Sequence, residues 1–172
     1  MQFFNVDLPT KKYLKKYLYS CYGAPLVASY DTDLGDRLLS KLSSKLPCKL
    51  PDSDRRILIR RLTASVQIKV PIDYIRRINA SPSDDTVILI NRFFEQKFKE
   101  EMFHVVERAS WLQISKKYSI QSFANNHGIE IGEEETDDIT YEALKQMEHR
   151  FREDAKKKNR FRGMLNIAAM LF

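Results

Sequence analysis

Cysteine, glycine and tryptophan are scarce in this 172-residue chain: two cysteines, five glycines and one tryptophan, with only six prolines. Two cysteines, Cys21 and Cys48, are too few for a disulfide framework. So little glycine and proline excludes a low-complexity chain and predicts regular structure with few long flexible loops. The three histidines, His104, His127 and His149, stand far apart, and none lies near a cysteine or second histidine at metal-ligand spacing. No glycine-rich phosphate loop, nucleophile elbow or Walker sequence is present. The longest apolar stretch, Met164–Phe172, is broken by Asn166 and is far too short to span a bilayer. The N-terminus lacks the basic patch and apolar run of a signal peptide. Asn79-Ala80-Ser81 is therefore read as a chance match to a glycosylation acceptor. These absences predict a soluble, non-enzymatic protein of the reducing cytoplasm, with no cofactor, no metal and no membrane partner.

What is present fits a globular chain: 43% hydrophobic residues, 30% charged and 11% aromatic. The net charge is +6, and it is unevenly spread. Residues 1–77 carry 15 Lys/Arg against 7 Asp/Glu, residues 78–129 carry six of each, and residues 130–172 carry 8 basic and 10 acidic. The last region is sorted into an acidic block followed by a basic one. Such asymmetry points to polyanion contact through the N-terminal half or the C-terminal basic block.

Alternating and helical periodicities divide the chain into an α+β part, residues 1–80, and an α-helical part, residues 81–172, which could form a single domain. Phe3–Leu8 reads as a strand closed by Pro9. Thr10 is placed as the cap of a helix to about Cys21, with Tyr13, Leu14, Tyr17, Leu18 and Cys21 on its apolar face and Lys11, Lys12, Lys15 and Lys16 on the other. On that face Cys21 is expected to be a buried structural thiol. Pro25–Tyr30 contains a short strand, and Thr32 or Asp31 caps a second helix with Leu34, Leu38, Leu39, Leu42 and Leu46 inward, ended by Pro47. Arg56–Leu62 and Ser65–Val70 alternate as strands, or as one long bent strand. A short helix near Ile72, Ile75 and Ile78 precedes a strong helix start: Ser81 as cap, Pro82 at the first position, then Asp84 and Asp85. That long helix runs to about Trp111, with Phe94, Phe98, Met102, Val105, Ala109 and Leu112 as its interior stripe. A shorter one follows over residues 115–126, with Tyr118, Phe123 and Ala124 inward and Gly128 as its stop. The cluster Glu133–Asp138 lacks the alternating ligands and central glycine of a calcium loop and reads as a solvated approach to the last helix. That helix runs from Thr140 to about Lys158, with Tyr141, Leu144, Met147 or Glu148, and Phe151 on its apolar face.

The last helix is the best binding candidate. Lys145, Arg150, Arg152, Lys156, Lys157, Lys158, Arg160 and Arg162 cluster in it, with Phe151 and Phe161 among them. Basic side chains on one helix neutralise backbone phosphates and release counterions. The seven acids between Glu130 and Glu142 precede it and would repel DNA from its N-terminal turn, and acids before bases also complement the helix dipole. The run Ile120-Gln-Ser-Phe-Ala-Asn-Asn-His-Gly-Ile129, the acidic turn, and Ile139-Thr-Tyr-Glu-Ala-Leu-Lys-Gln-Met-Glu-His-Arg-Phe-Arg152 resemble the C-terminal, helix-turn-helix-like part of small uncharacterised proteins of bacterial phages and mobile elements, over roughly a third of the chain. The resemblance implies a bacterial or phage source and DNA binding, and carries no catalytic residues.

Two functions follow as expectations. The first is a DNA-binding regulatory or accessory protein of a mobile element in a bacterial cytoplasm. Here Lys145, Arg150, Arg152, Lys156, Lys157, Lys158 and Arg160 touch phosphate, helped by Arg55, Arg56, Arg60 and Arg61. The second is a structural or assembly protein, such as a virion component or homo-oligomer. Its apolar tail, with Met164, Leu165, Ile167, Met170, Leu171 and Phe172, docks on another chain or packs on its own domain.

Overall fold

The computed structural model describes residues 2–43, 50–74, 82–133 and 137–170, the last stretch from residue 158 onward as helix backbone only. Elements follow in the order β1 (Phe3–Thr10), α1 (Lys12–Tyr22), β2 (Leu26–Val27), α2 (Asp33–Leu42), α3 (Asp52–Arg60), β3 (Ala64–Pro71), a 3-10 turn (Ile72–Tyr74), α4 (Asp84–Trp111), α5 (Lys116–Asn126) and α6 (Tyr141–Met170). This is an α+β architecture in which one small sheet is covered by helices.

The sheet has the order β1-β3-β2, with β3 central, antiparallel to β1 and parallel to β2. Its register pairs Val6 with Ile68 and Leu8 with Val66, and strand alternation sends all four side chains to the buried face while Asp7 and Gln67 face out. β1 runs past Pro9, which faces Ser65. Proline is tolerated there because β1 is an edge strand, where a missing N–H removes no ladder bond on the open side. Thr10 is consequently the last strand residue and not a helix cap; α1 starts without a side-chain cap at Lys11. Thr10 instead donates from Oγ1 to Asn91 Oδ1 (2.7 Å), and Asn91 Nδ2 donates to the carbonyls of Pro9 (2.8 Å) and Val87 (2.9 Å). This satisfied buried group ties β1 to α4.

The largest departure from the sequence reading is at Arg56–Leu62, which is neither a strand nor part of a bent one: residues 52–60 form α3. Asp52 and Asp54 lie in its first turn, where the helix dipole favours them, and Leu58 and Leu62 fall four residues apart on the side facing Ile88 of α4. Three consecutive aliphatic residues, Ile57–Ile59, between two arginine pairs read as a short strand as easily as a turn of helix. α2 keeps the expected cap, Thr32 accepting from the Gly35 amide (3.0 Å), and ends at Leu42; Leu46 and Pro47 fall outside the described residues. Of the short helix after Pro71, the turn at Ile72–Tyr74 is described and Ile75 and Ile78 are not.

α4 is the spine, about 42 Å long at 1.5 Å per residue. Its cap is Ser83, which accepts from the Thr86 amide (3.3 Å), two residues later than the Ser81-Pro82 start read from the sequence. Phe94, Phe98 and Met102 are fully buried, and Val106 continues the stripe where Val105, half-buried, was expected. Leu112 is 73% exposed, because α4 outlasts the core and turns at Gln113, whose φ is 59°. In α5, Ser119, Ile120, Phe123 and Ala124 face inward, while Tyr118 points out at 63% exposure, contrary to expectation. Gly128, at φ 64°, stops it as read.

One apolar cluster runs from Val6 of β1 to Leu144 of α6, with members on both sides of residue 80. Its centre is aromatic: Tyr13, Tyr17 and Phe123 meet the Phe98 ring at centroid distances of 5.1, 5.2 and 5.3 Å. Each fully buried ring contributes about 1.5–3 kcal/mol through the area it removes from water. Among the described residues no helix is long and apolar enough to cross a membrane.

Candidate nucleic-acid interface

α6 holds the basic residues singled out first, and most of those described have carboxylate partners. Glu148, fully buried, accepts from Arg152 Nε (2.9 Å) and Nη2 (2.7 Å), and its other oxygen is in contact with Lys116 Nζ. Arg152 also reaches Glu107 of α4 (3.1 Å) and lies over the Phe103 ring (5.3 Å). It is therefore a cross-brace between α6 and α4, half-buried and committed to carboxylates on both helices. Lys145 pairs with Glu142 (3.2 Å) and Lys156 with Glu153 (3.0 Å), both exposed. Arg150 and Lys157, seven residues apart on one helix face, are exposed; neither forms an ion pair within 4 Å among the described residues, though Lys157 lies within electrostatic reach of Glu153. α6 continues past the expected end at Lys158 to Met170, so Met164, Leu165, Ile167 and Met170 are helical rather than in a loose tail. The side chains of Lys158, Arg160 and those four residues, together with Leu171 and Phe172, lie outside the described set.

The helper arginines behave differently. Arg55 is held by Asp85 (3.2 Å) and Asp52 (3.6 Å). Arg56, Arg60 and Arg61 are exposed without a carboxylate partner among the described residues. Arg55 meets α4 at Asp85 and Arg152 meets it at Glu107, about 33 Å further along the helix. The fold thus keeps the α3 and α6 clusters apart.

The residues that follow α3 meet the lysine face of α1 instead. A groove of about 630 Å³ is lined by Lys12, Lys15, Lys16 and Tyr19 of α1, by Thr63 and Ala64, and by His127, Gly128 and Asp138. Thr63 and Ala64 directly follow Arg60-Arg61-Leu62, so the arginine end of α3 lies within four residues of the groove wall along the chain. Lys15 lies over the Tyr19 ring (5.7 Å), and the Tyr19 hydroxyl accepts from the Gln67 amide (3.0 Å), which fixes this wall against β3. Lys16 is committed: it reaches Asp138 (2.7 Å) and Glu130 (3.0 Å), and the hydrogen bond to Asp138 is the main cause that raises its pKa. Asp138 also accepts from the Glu130 amide (2.8 Å), and Ile131 bridges to Ile139. The described ends of the acidic connection are therefore paired with each other and fastened to α1. Lys11 is likewise occupied, by Glu95 (2.5 Å).

One further constellation was invisible in the sequence. Cys21 is exposed and not the buried thiol expected, because the core ends at Leu18, one turn earlier. Its Sγ stands 3.8 Å from Nδ1 of His127, at the end of α5, and 3.9 Å from Oε2 of Glu101, midway along α4. Separations of 80 and 106 residues leave no local signal. Burial lowers the His127 pKa against the opposing pull of Glu101; burial raises the Cys21 pKa, and Glu101 adds to that rise. A thiol so placed is poorly suited to be a free nucleophile.

No family model, curated protein or solved structure matches the chain.

Proposed function

We propose that this chain binds the phosphate backbone of DNA through the α1–α3 groove, as an accessory protein of the mobile-element kind its C-terminal resemblance implies. The observation that carries the reading is a concave surface lined by Lys12 and Lys15, with the solvent-facing Arg60 and Arg61 within four residues, along the chain, of its Thr63–Ala64 wall. Neutralising phosphates there releases counterions, so affinity depends on salt and little on sequence. Arg56 extends the surface along α3, and Arg150 and Lys157 form a second, weaker point of contact on α6. Titrating a duplex across a salt series tests this. The triple variant K15Q/R60Q/R61Q is expected to flatten the log–log salt slope by about 2–3, at about 0.9 per lost phosphate contact. Absence of affinity even at low salt, or a slope unchanged in the variant, rejects the groove as the interface.

A specific observation favours self-association as a second reading. Trp111 and Leu112, 79% and 73% exposed, lie at the α4–α5 turn with Ile114 and Tyr118 close by in the chain. Under that reading the solution mass exceeds one chain, and W111S/L112S or removal of residues 164–172 returns it to that of the monomer. A monomeric wild type at high concentration rejects it.

A further inference from the structure

We propose that Cys21, Glu101 and His127 form a three-ligand site for a zinc-type divalent cation, a role that goes beyond DNA binding. The three ligand atoms, one from each residue, lie within 4.8 Å of one another. Ideal tetrahedral zinc, with bonds of about 2.0–2.3 Å, sets sulfur–nitrogen and sulfur–oxygen edges of about 3.6 Å. The observed edges of 3.8 Å to Nδ1 and 3.9 Å to Oε2 need only a small contraction. The chemistry of the set also fits. Thiolate and imidazole are zinc's preferred donors, and the thiolate and carboxylate together balance a charge of +2.

The surroundings orient these donors. The Tyr17 hydroxyl donates to Glu101 Oε2 (2.6 Å). The Tyr17 and Phe123 rings hold the imidazole edge-on at 5.1 and 4.6 Å. Ser20 gives its proton to the Tyr17 carbonyl (2.9 Å) and leaves its oxygen 2.5 Å from His127 Nδ1, the place the cation takes over. Glu101 beside Cys21 opposes a bare thiolate, and a cation between them turns the same carboxylate into a partner. Binding exchanges the thiol proton, which leaves to solvent, for the metal; the carboxylate and the neutral imidazole bring no net proton change. Three ligands leave a fourth position open at an exposed edge. The site fastens the end of α1 to α4 and α5, next to His127 at the groove's rim.

Cobalt titration of the full, metal-stripped chain tests the site, in a C48S background because the second thiol, Cys48, lies outside the described residues. The expected result is a thiolate-to-cobalt charge-transfer band that saturates at one equivalent and is bleached by zinc. C21S abolishes the band, and H127A and E101Q each weaken binding at least tenfold. A missing band in C48S, a band that survives C21S, or affinities unchanged in H127A and E101Q overturns the proposal. DNA affinity is read separately, so loss of cation binding leaves the groove reading intact.

Discussion

α6 and the α1–α3 groove carry the same kind of charge and use it in opposite ways. On α6, Lys145, Arg152 and Lys156 each face a carboxylate, and Arg152 is consumed by the buried Glu148. At the groove, Lys16 and the flanking Lys11 are committed to acids, while Lys15, Arg60 and Arg61 have no carboxylate partner among the described residues. The chain's densest basic run is thus the poorer phosphate surface. A count of lysines and arginines measures charge; the partners decide how much of it a polyanion can meet.

The largest effect expected from this contrast is on stability. R152A leaves Glu148 buried with Lys116 as its remaining cation, and breaking a buried pair of this kind costs about 3 kcal/mol. For a chain of this length that lowers Tm by about 6–12 °C. DNA affinity measured well below the melting point is expected to stay near that of the wild type. A melting point that does not move, with affinity lost instead, would place Arg152 on the interface and erase the contrast.

Next in size is the groove itself. K15Q/R60Q/R61Q is expected to weaken duplex binding about 10–100-fold at moderate salt, since each lost contact removes a salt-sensitive increment. Its thermal midpoint should stay within about 2 °C of wild type, as exposed unpaired cations contribute little to stability. R150Q/K157Q, two equally exposed cations on α6, sharpens the comparison with an expected loss of under about threefold. Equal losses from the two variants would make α6 and the groove one interface spanning the length of α4.

Much of the fold was legible because burial writes a period into the sequence. β1, β3, α2, α4 and α5 were found from alternation, stripes, caps such as Thr32 and stops such as Gly128. α3 was misread because an uninterrupted aliphatic run, Ile57–Ile59, flanked by arginines fits a short strand or a helix turn, and only packing against Ile88 of α4 decides between them. The sites were far less legible. The lysine row of α1 was visible as a polar face, yet its sharing of a groove with Thr63 and Ala64, just after Arg60 and Arg61, depends on where β3 enters the sheet. The Cys21–Glu101–His127 cluster depends on the packing of three helices, and no spacing in the chain announces it.

The smallest expected effect lies where the two regions' supports meet, at His127 on the groove's rim. Burial holds its folded pKa below the unfolded value near 6.5, and Glu101, Cys21, the Ser20 hydroxyl and the Tyr17 and Phe123 rings face it. As pH falls through 6.5 the unfolded chain takes up this proton first. The unfolded state then binds more protons than the folded one, so stability declines with falling pH until the folded pKa is passed, and the penalty is constant below it. In metal-free protein, H127Q should therefore flatten the decline in thermal midpoint just below pH 6.5 and leave the midpoint at pH 8 nearly unchanged. An equally steep decline in H127Q would assign it to other groups. A steeper one in the wild type when zinc is present would follow from the cation site, because the proton and the metal compete for the same imidazole.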